Sequence, residues 1–60
     1  MGVFLTNKSR QLLIVKLNSG VSVHLAPKER SRRIEELEIV DNFAVAKMST
    51  RGLLAVEKGI

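Results

Sequence analysis

The residues of this chain best able to do chemistry lie between His24 and Glu38, in the stretch HLAPKERSRRIEELE. Four cations, Lys28, Arg30, Arg32 and Arg33, crowd one short segment, and three carboxylates, Glu35, Glu36 and Glu38, follow directly. The cations suit three readings. They could grip phosphates, a salt-sensitive and sequence-blind interaction. Their planar guanidinium forks could instead pair with carboxylates of a neighbouring subunit. They could also form a solvated connector. The carboxylates could be an acid/base pair or a cation site. On an extended backbone, however, successive side chains point to opposite faces, so only Glu36 and Glu38 would stand side by side. Two carboxylates without a pocket read as surface. His24 falls with Ser22 on the polar side of the alternating segment VSVHL, and the chain holds no second histidine and no cysteine to join it as a ligand. Ser9, Ser31 and Ser49 lack the strand-to-helix elbow of a serine nucleophile. The glycines stand singly, so no phosphate-cradling loop is present. A chain this short also struggles to enclose a ligand-sized pocket. These observations predict a protein that is not an enzyme and that has no metal, cofactor or small-molecule site.

Size and composition point to association instead. A chain of 60 residues is one domain at most. Such a domain buries only about 60% of the surface its unfolded chain exposes. Small folds usually add disulfides, a metal or a partner subunit. With no cysteine and one histidine, the partner subunit is the remaining route. The net charge of +4 is unevenly spread: residues 1–33 hold seven Lys/Arg against one acid (+6), and residues 34–60 hold three against five (−2). That asymmetry fits a nucleic-acid face or the docking of one subunit's basic part on the acidic part of the next. The aromatic residues are only Phe4 and Phe43, which weakens any role in binding single-stranded nucleic acid, where bases stack on aromatic rings. The motifs of groove-reading proteins are missing, although a ribbon of strands reading DNA stays open. The longest apolar run, LLIV, is far too short to span a membrane. The polar N-terminal segment does not resemble a secretory signal.

The elements that must position these residues are mostly strands. Val3–Thr6 reads as a strand and Asn7–Arg10 as a turn, because Asn and Ser side chains bond local backbone. Gln11–Leu17 reads as a strand with much of both faces covered. Asn18-Ser19-Gly20 is a three-residue hairpin loop, with Gly20 in the left-handed conformation, leading into Val21–Leu25. Pro27 ends that strand, and Lys28–Arg33 is loop. A short strand is expected near Glu36–Ile39, with Leu37 and Ile39 turned to the core. Asp41 and Asn42 are helix caps and Gly52 a helix terminator, which predicts a helix near residues 42–51. Val40, Ala44 and Met48 would share its face, with Phe43 beside them. The rival is a hairpin turning at Asp41–Asn42, with the segment from Phe43 as a strand. Leu53–Lys58 is the last strand. The sum is a mainly β, α+β domain over residues 1–60. It would be a small antiparallel sandwich or open barrel of four to five strands with one short helix over an open side.

From Gly20 onward the order GVSVHLAPKE, EELEIV, NFAVAKMSTRGLLAV resembles small virion accessory proteins of tailed phages and prophages. Many of those carry a strand ending L-x-P-G-E, an acidic stretch, then N-x-x-V-x-x-L-x-x-x-G-x-L-x-V. The similarity covers about residues 20–57, with Lys28 where glycine is common and Met48 where leucine is common. The resemblance implies a structural role in the virion, as capsid decoration, head-completion or tail component, assembled in the host cytoplasm. It carries no catalytic residue. The expected partners are copies of the chain or larger virion proteins. Lys28, Arg30, Arg32 and Arg33 would dock on the basic side and Glu35, Glu36 and Glu38 on the acidic side. The alternative is a small nucleic-acid-binding protein using the same 28–33 loop.

Overall fold

The computed structural model describes residues 2–59. In chain order the elements are β1 (Gly2–Asn7), β2 (Leu13–Lys16), β3 (Ser22–Leu25), β4 (Ile34–Glu35), a 3-10 turn (Glu36–Glu38), α1 (Phe43–Thr50) and β5 (Leu54–Lys58). They form two antiparallel sheets, one of order β4-β1-β5 and one of β2-β3. The mainly β architecture with one short helix is therefore as expected.

The sheets meet because each has one apolar face. Val3 and Leu5 of β1, Ile34 of β4 and Leu54 of β5 come from one sheet; Leu13 and Val15 of β2 and Leu25 of β3 come from the other. Leu17 and Val45 of α1 complete the buried cluster. Helix α1 packs on β5 and β2 and so closes one side of the sandwich. Asn42 caps it: its side-chain oxygen accepts the Val45 N–H at 3.1 Å, satisfying a donor that has no partner within the helix. An eight-residue helix is marginal alone, so packing of Val45 and the cap hold it. The β2-β3 hairpin turns as predicted. The Gly20 N–H bonds the Leu17 carbonyl at 2.9 Å, and the Leu17 N–H bonds the Val21 carbonyl at 2.8 Å. Gly20 (φ 98) and Gly52 (φ 76) both occupy the left-handed region that side chains disfavour.

Three local expectations are corrected. Glu36–Ile39 is not a strand. The fourth strand lies just before it, with Ile34 buried, and Glu36–Glu38 is a 3-10 turn that leaves Leu37 81% exposed. The cause is tertiary. Asn18 captures that turn, its side chain donating to the carbonyls of Leu37 (2.8 Å) and Val40 (2.7 Å) and its backbone N–H to that of Glu38 (2.8 Å). Secondly, Gln11–Leu17 has one covered face, not two. Leu13, Val15 and Leu17 are buried while Leu12 and Ile14 stand more than half exposed, because no layer covers the outer side of β2. Thirdly, α1 buries Val45 rather than a Val40–Ala44–Met48 stripe. Met48 is only partly buried and Phe43 is 79% exposed.

Two buried polar side chains hold the layers in register. Asn7, wholly buried, ends β1. Its amide nitrogen faces the carbonyls of Gln11 (2.7 Å), Leu25 (2.9 Å) and Ala26 (3.1 Å), and its oxygen accepts from the backbone N–H and the hydroxyl of Ser9. It therefore staples one sheet to the end of the other. Ser31 fills a slip in the pairing beside β1. Its hydroxyl accepts the Leu5 N–H at 2.9 Å and donates to the Arg32 carbonyl at 2.8 Å. The residue pairs sum to 37 at Val3↔Ile34 but to 36 at Thr6↔Arg30. One residue of the incoming strand is thus extra, and the Ser31 side chain takes a donor the ladder would otherwise lose.

Candidate functional site

The fold divides the basic loop in two. Lys28, held at φ 67, turns back, and its ammonium donates to the Lys8 carbonyl at 2.9 Å. The Arg30 guanidinium lies 4.3 Å from the centroid of the Phe4 ring, a cation–π contact. It also sits 3.6 Å from the Glu57 carboxylate, the one ion pair among the described residues. The same carboxylate oxygen accepts the Thr6 hydroxyl at 3.0 Å. Lys28 and Arg30 are thus tied to their own domain. Pro27 lies within a turn closed twice: the Glu29 N–H donates to the Ala26 carbonyl, and the Ala26 N–H donates to the Glu29 carboxylate. That double closure directs the chain toward β1.

Arg32 and Arg33 are exposed and lie elsewhere, on the side of the sandwich that α1 does not close. There a cleft of about 340 Å³ opens between β3 and β4. Leu17, Val21, Val23 and Ile34 line it, and Arg32, Arg33, Glu35 and Glu38 surround these apolar residues with charge. Arg33 lies across Gly2, so close that a side chain at position 2 would collide with it.

The acidic residues also separate. Glu38 is structural, its carboxylate accepting the Ser19 N–H at 2.8 Å and so clasping the hairpin loop. Glu35 belongs to β4 beside the two arginines. Glu36 lines a shallow hollow with Glu35, Leu37 and Val40. Glu36 and Glu38 therefore do not form the side-by-side pair that an extended strand would have made. His24 is exposed on β3, as the alternation predicts. Among the described residues, no three His, Asp or Glu side chains converge.

The residues that sequence reasoning passed over are apolar. Among the described residues seven large hydrophobic side chains are exposed, Leu12, Ile14, Val21, Leu37, Val40, Phe43 and Val56, against nine in the core. Phe43 and Val56 meet across an open groove of about 540 Å³ between α1 and β5, with Ile39, Val45 and Ala46 along it. A signal for Leu12 and Ile14 was present, since both alternate strictly with Leu13, Val15 and Leu17. No comparable signal marked Leu37 or Phe43, whose exposure depends on where the 3-10 turn and α1 are anchored. No helix among the described residues is long and apolar enough to cross a membrane.

The site that emerges can offer unpaired strand edges, uncovered apolar side chains and two exposed guanidinium groups beside a carboxylate. Those are the means of binding another polypeptide. No family model matches the chain, and neither a curated protein nor a solved structure does.

Proposed function

We propose that this chain is a non-enzymatic association module serving as an accessory component of a phage particle, in capsid decoration, head completion or the tail. The observation that carries the association reading is the apolar surface: among the described residues nine hydrophobic side chains form the core and seven large ones stay uncovered. Exposed apolar patches on small soluble folds mark interaction sites, and a domain of this size gains stability from a partner. The place in a particle rests on the resemblance of residues 20–57 to virion accessory proteins. The nucleic-acid alternative is weakened because Lys28 and Arg30, half of the loop's cations, are committed to internal contacts.

Two measurements test the proposal. Sedimentation velocity over a concentration series, with and without a short DNA duplex, should show association that ignores DNA. A DNA-dependent shift that fades steeply with salt would move the function to nucleic acid. Mass spectrometry of purified particles released from the cells that encode the chain should find it at a fixed stoichiometry to the major head or tail protein. Its absence from intact particles would remove the virion role.

A further inference from the structure

We infer that the open side of the sandwich is a two-layer homodimer interface, in which β3 and β4 each pair edge to edge with the same strand of a second copy. This deepens the association reading and rests on it. Hydrogen-bond parity decides which main-chain groups face outward. The Leu17–Val21 bond makes every second pair of the hairpin a bonded one, so Val15↔Val23 and Leu13↔Leu25 are bonded. The main-chain groups of Ser22 and His24 therefore point outward, away from β2. In the other sheet, Gly2 bonds Gly59 on the β5 side, so Val3 turns its main chain toward Ile34 of β4. Arg33 and Glu35 therefore point their main-chain groups outward. Each layer thus ends in a short row of unpaired donors and acceptors, and these two rows lie on the same side of the molecule, flanking one cleft.

A two-fold axis perpendicular to the sheets satisfies both rows at once. In the β3 layer it places Ser22 opposite His24 of the second copy, with Val23 on the axis. In the β4 layer it places Arg33 opposite Glu35 of the second copy, twice, with Ile34 on the axis. Val23 and Ile34 line the same cleft, so one axis serves both layers. An isologous interface must carry its own complement. This edge does: each arginine meets a carboxylate, and no like charges face each other. The half-exposed Val21 would be covered. Neither outward row holds a lysine or a proline, and the charges beside the short β4, Arg33 and Glu35, are complementary across the axis. Of the two remaining edges, β5 carries Lys58 and β2 carries Lys16, and both run beside α1.

The test is a charge exchange read by sedimentation over a concentration series. Arg33→Glu alone and Glu35→Arg alone each set like charges opposite one another twice. Each should raise the dimer dissociation constant about tenfold or more. The double variant Arg33→Glu/Glu35→Arg restores both pairs in reversed sense and should recover the dimer, which also answers the objection that a single variant is misfolded. As a second readout, exchange of the Ser22, His24, Arg33 and Glu35 amide protons should slow as concentration rises. Equal dimerisation of wild type and both single variants, or protection that ignores concentration at all four amides, would overturn the interface. A chain that stays monomeric at high concentration yet is found in particles would also overturn it, leaving the virion role standing. A dimer with the predicted charge behaviour in a protein missing from particles would do the reverse.

Discussion

Replacing Asn7 by aspartate separates two accounts of this residue. Aspartate is as good a turn former as asparagine, so a residue that only shaped the turn at 7–10 would tolerate the change within about 0.5 kcal/mol. The structure gives Asn7 a different task. Its amide nitrogen, with no solvent exposure, serves three carbonyls from two segments, while its oxygen serves Ser9. The Asn7→Asp side chain would keep the acceptor and turn a second oxygen toward those three carbonyls. Each hydrogen bond contributes about 1 kcal/mol net, and a buried group left unpaired costs about 1–3 kcal/mol. The Ser9 hydroxyl, whose one proton can point either to the oxygen at position 7 or to the Gln11 carbonyl, can turn to Gln11, which moderates the loss. From these two terms together the loss is about 2–4 kcal/mol. A domain of 60 residues has a total stability of roughly 3–9 kcal/mol. At about 4–8 °C per kcal/mol for domains of this size, Asn7→Asp should lower the melting temperature by roughly 8–30 °C at neutral pH, as followed by circular dichroism. The deficit should shrink as the pH falls, because a protonated carboxyl again offers a donor. Asn7→Ala should fall in the same range without the pH dependence. A variant Asn7→Asp that melts with the wild type at neutral pH would refute the staple.

The other outcomes follow from the same geometry. Ser31→Ala leaves the Leu5 N–H without its acceptor at the slip beside β1 and should cost about 1–3 kcal/mol in urea unfolding; a loss below about 0.5 kcal/mol would mean that water or a shifted strand takes the donor. The double change Leu37→Ser/Phe43→Ser removes two side chains that are about four-fifths exposed. It should move folding stability by less than about 1 kcal/mol in total, while reducing recruitment of the protein into particles. Normal recruitment of a folded double variant would show that this surface is not where the particle is gripped.

The charged segment illustrates how a cluster in sequence becomes several devices in space. Arg30 crosses to Phe4 and Glu57, Lys28 folds back to Lys8, and Glu38 holds the hairpin loop. The side chains of Arg32, Arg33, Glu35 and Glu36 make no hydrogen bond or ion pair among the described residues, and of these Arg32, Arg33 and Glu35 share the open cleft with Glu38.

The amino-acid sequence by itself determined what is decided within a few residues. The loop Asn18-Ser19-Gly20 requires one left-handed residue and supplies glycine there. Asn42 and Gly52 bracket a helix by capping chemistry. The alternation of Val21, Val23 and Leu25 with Ser22 and His24 gives β3 its inner and outer sides. Composition excluded disulfides outright. The tertiary structure alone decided what depends on residues far apart in the chain. Leu37 lost its place in the core because Asn18, nineteen residues away, binds the carbonyl of Leu37 and makes a 3-10 turn of a segment that would otherwise extend. Asn7 and Ser31 became buried staples because strand ends and a register slip left main-chain donors and acceptors that only they could reach. The basic loop split because Phe4 and Glu57 lie beside Arg30 but not beside Arg33. Local propensity acts through neighbouring backbone, whereas burial and hydrogen-bond satisfaction are set by whatever the folded chain brings near.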